Sequence, residues 1–294
     1  MRLISWNIAR AGSERIPYQV AALAARCPDI VALQEVRINR VAEYGKALHG
    51  AGLPYIVDGF DGSAGPFTGS RAAGVLVASR WPCAVVPGAR DACCLPWPER
   101  LLSLAIDAPF GRVECHTVYV PIGFPNRDFA VRIGTLEGLA TGLGCDTGGH
   151  RLLCGDFNLP QSETVDGEVI TFGQTRRKSG AFAITNAAMH ASERRVLTGL
   201  AAFDLTDVYR ALHGYERQEF SWYHPVSNNG FRLDHVLASR SLRARECRYL
   251  DQFRTVEREK YPGLGFMKLS DHAAMEVDFD PLPQPLPGAE RGAV

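Results

Sequence analysis

RLLCGDFNLP, residues 151–160, is an apolar run that delivers a carboxylate and a carboxamide, Asp156 and Asn158, two positions apart. The run predicts a β-strand, and positions i and i+2 of a strand project from the same face, so these two side chains are expected to lie together. A turn is the alternative, because Gly, Asp, Asn and Pro after an apolar run commonly end a strand. The rest of the chain decides between these interpretations.

Similar runs, rich in β-branched and aromatic residues, predict strands along the whole chain, at 2–8, 29–36, 54–58, 73–79, 100–107, 112–120, 204–209, 232–239 and 274–279. Fewer segments have helical spacing of their apolar residues: Ile16 to Cys27, Val41 to Leu53, 128–143 and 187–202. Several strands are apolar throughout, which indicates cover on both faces. Because helices are missing between some strands, a strict βαβ alternation does not hold, and a layered α/β or α+β sandwich is expected.

The 294 residues are 46% hydrophobic and 22% charged, as in ordinary soluble globular proteins. The net charge of zero argues against a protein that coats nucleic acid non-specifically. A neutral chain can still carry a local basic patch. The eight cysteines are scattered without a Cys-x-x-Cys pair, which argues against a zinc cage and favours reduced thiols. The start, MRLISWNIAR, lacks the apolar core of a signal peptide, and no apolar run approaches the ~20 residues of a membrane span. A cytoplasmic protein is expected.

The composition shows no break that would split the chain, so we expect a single domain over residues 1–280. The tail at 281–294, PLPQPLPGAERGAV, is proline-rich with little to bury, and is expected to be disordered. The segment 161–187 is polar and contains glycine, which predicts a long surface excursion. Such loops are more often functional than decorative.

Polar residues recur where apolar strands end or begin: Asn7, Glu35, Asp156, Asn158, Asp234 and the triplet Ser270-Asp271-His272. These residue types are costly in a core unless they are paired or bound to a cation, and ligands of α/β sheets tend to lie at strand ends. Oxygen ligands without a cysteine or histidine cluster indicate a hard cation, Mg²⁺ or Mn²⁺. That combination is the setting for metal-assisted phosphoryl chemistry.

Six short motifs follow one another between residues 4 and 272: ISWN (4–7), LQE (33–35), Tyr119-Val120-Pro121, GDFN (155–158), RLDH (232–235) and SDH (270–272). In this order they resemble the endonuclease/exonuclease/phosphatase superfamily, and most of all its exodeoxyribonuclease III and abasic-site endonuclease branch. The resemblance implies a four-layer αββα sandwich of two packed mixed β-sheets flanked by helices.

The resemblance also implies a metal site. Glu35 matches the family's principal metal-binding carboxylate, with Asn7 close by and Asp271 contributing to the metal environment. The implied cofactor is Mg²⁺ or Mn²⁺.

The remaining matched positions take chemical roles. Asp156 matches the residue that orients or deprotonates the attacking water, and Asn158 would donate a hydrogen bond to the transition state. His272 would contact the scissile phosphate while Asp234 holds its other ring nitrogen, and Tyr119 matches a tyrosine that contacts the phosphate, with core packing as its alternative. Amide, phenol and imidazolium donors suit the negative charge that collects on a pentavalent phosphorane.

Aromatic residues flank RLDH near the position of the family's pocket for a flipped-out sugar. Trp222, Tyr223 and Phe231 would form apolar walls for a baseless deoxyribose or a stacked base, with sheet core as the alternative. Arg37 could grip phosphate or be a surface arginine. Arg176 and Arg177, with Lys178, would contact the DNA backbone.

Several positions depart from the pattern of the DNA-cleaving relatives. Ile122 stands where they often have Asn or Gln, Ile8-Ala9 lack the polar residue usual in that loop, and His235 replaces the common tyrosine. The segment LPWPERLLS (95–103) has no counterpart that we associate with those enzymes. With the neutral charge, these departures weaken the case for duplex DNA and leave phosphate-ester hydrolysis intact.

The sequence therefore predicts a metal-dependent phosphodiesterase, a DNA repair nuclease with 3′–5′ exonuclease or abasic-site endonuclease activity. DNA is the expected partner, no membrane is involved, and the protein is expected to be a monomer. The alternative keeps the chemistry and changes the substrate to a nucleotide, sugar phosphate, phosphoinositide or phospholipid. A non-catalytic binding module is disfavoured, because every acid and amide that the mechanism needs is present.

Overall fold

A computed structural model of the chain describes residues 1–123, 128–257 and 266–281. Strands and helices are numbered in chain order. One six-stranded sheet has the spatial order β17 (Leu242–Leu250), β20 (Ala274–Pro281), β1 (Arg2–Asn7), β2 (Ile30–Arg37), β4 (Ala73–Ser79) and β3 (Tyr55–Asp58). The other has the order β13 (Thr206–Asp207), β16 (Asp234–Ala238), β8 (His150–Asp156), β7 (Gly111–Tyr119), β6 (Leu101–Ala108) and β5 (Cys83–Val85). Each sheet is mixed, because β1 and β2 are parallel in one, and β7 and β8 are parallel in the other.

The helices are α1 (Ile16–Ala24), α2 (Val41–Gly50), α3 (Ala89–Cys93), α4 (Phe129–Gly142), α5 (Ala187–Leu197) and α6 (Val208–His213). Four small antiparallel ribbons complete the strands: β9 (Ser162–Glu163) with β10 (Val169–Ile170), β11 (Gln174–Arg176) with β12 (Phe182–Ile184), β14 (Trp222–Tyr223) with β15 (Gly230–Phe231), and β18 (Thr255–Glu257) with β19 (Phe266–Lys268). The ribbons β9 to β12 lie in the excursion predicted at 161–187.

Alternating side chains bind the four layers together. Leu3 of β1 joins the core between the sheets, with residues such as Val75, Leu104 and Leu152, whereas Ile4 and Trp6 point the other way. The outer face of the first sheet packs against α1 and α2 through Ile16, Val20, Leu23, Tyr44 and Leu48. The outer face of the second sheet packs against α4 and α5 through Leu136, Leu139 and Val196. The predicted αββα sandwich is confirmed.

Truncation in the inter-sheet core is expected to be costly. Leu104 of β6 is fully buried there, so Leu104→Ala should lower the free energy of unfolding by about 2–5 kcal/mol through lost burial and a residual cavity. Urea unfolding followed by circular dichroism measures this loss. The matched control is Leu212→Ala in α6, where the side chain is 38% exposed and the change should stay within about 0.5 kcal/mol. Equal losses at the two positions would contradict this view of the core.

One predicted strand is wrong in its second half. Residues 204–209 were expected to be extended, but only Thr206–Asp207 form a strand, and a helix begins at Val208. The Asp207 carboxylate accepts a hydrogen bond from the Arg210 backbone N–H at 3.0 Å and so caps the helix. The four predicted helices are present with shorter ends, for example Ile16–Ala24.

The first and last strands of the fold, β1 and β20, pair with each other. The division into a domain at 1–280 and a disordered tail stays a prediction, because residues 282–294 lie outside the described residues. Among the helices of the described segments, none has the length and apolar character needed to span a bilayer.

Candidate active site

The polar strand ends meet at one end of the sandwich. Tyr119 and Asp156 end the parallel strands β7 and β8 as register partners, and Asp234 opens β16 directly opposite Asp156. Asn7 ends β1 in the other sheet, and His272 lies just before β20. A cavity of about 820 Å³ opens there, and its lining includes Glu35, Asp156, Asn158, Trp222, Phe231, Asp271 and His272. The residues singled out in distant motifs are therefore brought together.

The buried Asp156 carboxylate lies at the centre of this arrangement. Its Oδ1 accepts a hydrogen bond from the Asn158 backbone N–H at 2.9 Å, and its Oδ2 accepts one from Asn7 Nδ2 at 2.8 Å. Asn158 has a φ of 51°, so the chain leaves the strand in a turn. The two interpretations of GDFN, a strand end that brings both side chains together and a turn that ends the strand, therefore both apply. The turn itself places Asn158 beside Asp156.

The environment raises the pKa of Asp156. Burial is the main cause and the facing Asp234 carboxylate the second, and together they raise the pKa to about 7 against the opposing effect of His272. An aspartate that exchanges its proton near neutral pH can act as a general base, which an ordinary surface aspartate does poorly.

Asp234 and His272 form a buried pair with 2.7 Å between Oδ2 and Nδ1. Burial alone would lower the pKa of the imidazole, but the attraction and hydrogen bond of Asp234 outweigh it and raise the pKa to about 9. His272 is therefore an imidazolium at neutral pH, with Nε2 available as a donor. Asp234 Oδ1 is buried and has no hydrogen-bond partner within the described residues.

Glu35 reaches the site through an irregularity in β2. The pairing of β2 with β4 shifts register between Gln34 and Val36, and Glu35 adopts a φ of 59°. This bulge takes Glu35 out of the alternation of the strand. Tyr119 Oη donates a hydrogen bond to Glu35 Oε1 at 2.7 Å, and Arg10 Nε lies 3.4 Å from Oε2. Burial, followed by the Glu35 charge, raises the pKa of Tyr119, which keeps the phenol protonated.

Two of the expected donors are engaged within the protein. Asn158 Nδ2 donates to the Val120 carbonyl at 2.7 Å and to Asp156 Oδ2 at 3.3 Å, and the Tyr119 hydroxyl is bonded to Glu35. Contact of either group with a phosphate would require it to exchange one of these bonds. His272 Nε2 is the donor that faces the cavity without such an exchange.

The triplet SDH is fixed by its neighbours. Ser270 Oγ donates to the Asn7 carbonyl at 2.6 Å and accepts from the His272 backbone N–H at 3.1 Å. The Trp222 indole donates to Asp271 Oδ2 at 3.2 Å. Burial opposes ionisation of Asp271, but the adjacent His272 charge and the indole outweigh it and lower the pKa of Asp271. Asp271 is therefore held as a carboxylate on the cavity wall.

Aromatic side chains build the opposite wall. The Trp222 and Phe231 rings lie 5.7 Å apart, and Phe172 stacks on Phe231 at 6.4 Å with an interplanar angle of 10°. Tyr223 points away, is 41% exposed and does not line the cavity. Sequence reasoning missed Phe172, for which the only signal was an aromatic residue within the polar excursion.

The three predicted arginines lie elsewhere on the surface. Arg37 is exposed at the end of β2, and Arg176 and Arg177 are exposed in the ribbon of β11 and β12. None of them lines the cavity. Arg132 was not predicted. It is buried, pairs with Glu193 at 2.9 Å and donates to the Asn158 carbonyl at 2.8 Å, which holds the loop after β8.

The side chains around the cavity suit a hard cation. Asp156, Asp234 and His272 place ligand atoms within 4.8 Å of one another, but His272 Nδ1 is committed to Asp234 and offers no lone pair there. The residues left for a metal are the carboxylates of Glu35 and Asp271 and the amide of Asn7. All are oxygen donors, the kind that Mg²⁺ and Mn²⁺ prefer.

Comparisons with known proteins bear on the family and the fold. The model of the Endonuclease/Exonuclease/phosphatase family matches residues 4–272. Among solved structures, an AP endonuclease from Archaeoglobus fulgidus superposes with a TM-score of 0.67 and 19% identity over 95% of this chain and 99% of that one. No curated protein matches the sequence.

Two structures of a Neisseria enzyme are also similar. A 3′ phosphatase, NExo, bound to a product DNA hairpin superposes with a TM-score of 0.66 and 21% identity, over 95% of this chain and 99% of that chain. The 3′–5′ exonuclease NExo from Neisseria meningitidis gives a TM-score of 0.65 and 21% identity, over 95% and 100%. These likenesses establish the shared fold.

Proposed function

Because the chain belongs to the endonuclease/exonuclease/phosphatase family, we propose that it is a divalent-metal-dependent phosphodiesterase that acts as a DNA repair nuclease. The observation that carries this proposal is the meeting of the buried Asp156, the Asp234-bound ring of His272 and the carboxylate of Glu35 at one cavity. Burial raises the pKa of Asp156 and Asp234 raises that of His272, which supports the proposal. A base, an acid and a metal-binding carboxylate around one cavity are the parts that water attack on phosphorus requires.

Asp156 acts as the general base in this proposal. Asn7 and Asn158 fix the orientation of its carboxylate, and its raised pKa lets it take a proton from water at neutral pH. The buried Asp234 beside it disfavours ionisation, which strengthens Asp156 as a base.

His272 supplies the positive charge. Asp234 orients the ring and keeps it protonated, so that Nε2 donates to a phosphoryl oxygen as negative charge grows in the transition state. Asn158 and Tyr119 add donors once their bonds to Val120 and Glu35 are exchanged. Glu35, Asn7 and Asp271 would hold the metal, which when bound neutralises charge on the phosphate oxygens.

The cavity bears on the substrate. Its Trp222 and Phe231 wall is apolar and aromatic, suited to a deoxyribose without a base or to an unpaired nucleotide. Exonuclease and abasic-site endonuclease activities both place such a group beside the scissile phosphate. The structures with the same fold include an AP endonuclease and a 3′ phosphatase bound to a DNA hairpin, which favours DNA as the substrate class here.

A non-DNA phosphoester is the second candidate. Ile122 is 51% exposed at the cavity edge, and the lining also includes Phe129, Met189 and Leu233, so an apolar substituent would be accommodated. The cavity wall thus offers less polar contact than a charged duplex backbone uses.

A substrate panel with purified protein tests the proposal. We expect Mg²⁺ or Mn²⁺ to support nicking of a duplex with one abasic analogue or resection of a recessed 3′ end, and EDTA to abolish both. Hydrolysis of bis(p-nitrophenyl) phosphate without any action on DNA would favour the second candidate. No metal-dependent hydrolysis of any phosphoester would contradict both candidates.

A further inference from the structure

A second, smaller cavity adjoins the first. Its volume is about 200 Å³, and its lining includes two arginines, two aromatic residues and one acid: Arg10, Arg100, Trp97, Tyr119 and Asp128. Ile122 and Gly123 line both cavities. Trp97 and Arg100 come from the segment 95–103, which the proposed chemistry leaves without a role.

Arg100 is a buried cation that lacks a counter-ion. The residue is 2% exposed, its Nη2 donates to the Ser70 carbonyl at 2.6 Å, and its Nε has no partner. Within the part of the chain that the structure describes, it makes no ion pair. The adjacent Glu99 is already occupied by two hydrogen bonds from Arg71, at 2.8 and 2.7 Å.

Aromatic rings hold Arg100 in place. Its guanidinium carbon lies 4.1 Å from the centre of the Tyr119 ring and 4.5 Å from that of Trp97. Such contacts stabilise a cation, yet they do not replace hydrogen bonds to an anion. Burial lowers the pKa of Arg100, and the nearby Tyr119, Glu35 and Glu99 offset that effect only in part.

A second cation faces the same space. Arg10 lines the cavity with a side chain that is 40% exposed, and its Nε is 3.4 Å from Glu35 Oε2. Binding of a divalent cation by Glu35 would compete for that carboxylate and leave both arginines in need of an anion. Two guanidinium groups around one small space are the arrangement that phosphate oxygens satisfy.

The size of the cavity limits the ligand. Since one water occupies about 30 Å³, the cavity offers room for several waters, enough for one phosphate group. It is smaller than the roughly 300 Å³ at which pockets for whole small molecules begin. A phosphate that reaches in from the neighbouring catalytic cavity fits these limits better than a separate nucleotide.

We propose that Arg10 and Arg100 form a second phosphate subsite, which binds the phosphate next to the scissile one in the same substrate. This inference rests on the proposed phosphodiesterase function. The bound group is either a neighbouring diester of a polynucleotide or a terminal monoester. Both groups carry negative charge and oxygen acceptors that can pair with the two guanidinium groups.

Short substrates test the subsite. Initial rates with Mg²⁺ would be compared for dTpdT, for pdTpdT and dTpdTp, which add a terminal monoester, and for dTpdTpdT, which adds a diester. In the wild type, at least one second-phosphate substrate should exceed dTpdT in kcat/KM by about 10-fold. A gain confined to the monoesters identifies an end-recognition site, and a gain with dTpdTpdT a backbone site.

The variants are Arg10→Gln and Arg100→Gln. Both are compared with one control, Arg243→Gln, because the Arg243 side chain is 67% exposed. For each second-phosphate substrate, kcat/KM is divided by the kcat/KM for dTpdT. This ratio should fall to about 1 in both variants and stay at the wild-type value in the control. Because the ratio cancels any general loss of activity, damage to Glu35 alone cannot imitate this result. The partly exposed Arg10 keeps the test decisive if Arg100→Gln does not fold.

Phosphate binding gives a readout independent of turnover. Calorimetric titration of the metal-free protein with inorganic phosphate should give a Kd about 10-fold higher in both variants than in Arg243→Gln. A protein that hydrolyses nothing but shows this difference contradicts the proposed function and keeps the anion site. Unchanged ratios and an unchanged Kd overturn the subsite.

Discussion

Asp156→Asn is expected to lower kcat by about 10²- to 10⁴-fold, the range typical for loss of a positioned general base. The carboxamide keeps an oxygen that can accept from the Asn158 backbone N–H, so the turn after β8 should survive. What disappears is the group that takes a proton near pH 7. Steady-state hydrolysis of whichever phosphodiester the wild type cleaves measures the loss.

The variant is also expected to fold at least as firmly as the wild type above neutral pH. Because burial raises the pKa of Asp156 to about 7 from its ordinary 3.8, ionisation of this group destabilises the folded protein as the pH rises through that range. Asparagine removes this charge, although its amide nitrogen must then face Asn7 Nδ2. Thermal unfolding at pH 5 and pH 8 would separate the gain from removing the buried charge, which depends on pH, from the cost of placing two amide nitrogens together, which does not.

Asp107→Asn is the matched control. Its carboxylate is 58% exposed and pairs with Arg112, and neither residue lines the cavity, so the activity of this variant should equal that of the wild type. If Asp156→Asn retained more than a tenth of the wild-type kcat while folding normally, Asp156 could not be the base. The chemistry would then have to be reassigned to another group in the cavity.

GDFN and Glu35 show how much of the site the sequence could predict. The apolar run predicted the strand that carries Asp156, and the resemblance predicted the Asp234–His272 pair and a place for Asn7 beside the metal. The hydrogen bond from Asn7 to Asp156 was not predicted. Periodicity could not place Glu35, because the bulge at Gln34 and Val36 breaks the alternation on which such reasoning depends. Its position after an apolar run had marked Glu35 as a candidate, and the resemblance gave it the role of a metal-binding carboxylate.

Buried arginines were the weakest point of the sequence reasoning. Arg100 and Arg132 look like surface charges in a sequence, because arginine is usually exposed and pairing depends on distant residues. Arg132 is paired with Glu193, which is 61 positions away, and Arg100 lies beneath Tyr119. Arg176 and Arg177 were predicted instead because they form a basic run with Lys178, and Arg37 because of its place after the LQE motif.

The pH dependence of kcat/KM is the second large expected effect. Asp156 must be ionised and His272 protonated, so the profile should rise through about pH 7 and fall through about pH 9. Both pKa values are raised, and because that of Asp156 stays below that of His272, Asp156 loses its proton first as the pH rises. Initial rates between pH 5.5 and 10 at constant ionic strength and metal concentration measure it.

Asp234→Asn should move the alkaline side of that profile. Without the Asp234 carboxylate, burial lowers the pKa of His272 against only the Asp156 and Asp271 charges, so the imidazolium should lose its proton at a lower pH than in the wild type. At pH 8 the activity of this variant is expected to be about 10²-fold lower than that of the wild type. Acid pH should partly restore it, because the ring regains its proton. The control is Asp280→Asn, whose half-exposed carboxylate lies near Arg243 and Arg245.

Stability provides an independent check on the same pair. Because the folded pKa of His272 lies above the unfolded value of 6.5, the pair contributes stability that is complete below pH 6.5 and is lost as the pH rises through about 9. The difference in unfolding free energy between the wild type and His272→Gln, from urea titrations of metal-free protein, should therefore shrink between these limits. A difference that grows with pH would mean that His272 is neutral in the folded protein, and an imidazolium could then not be the group that stabilises the transition state.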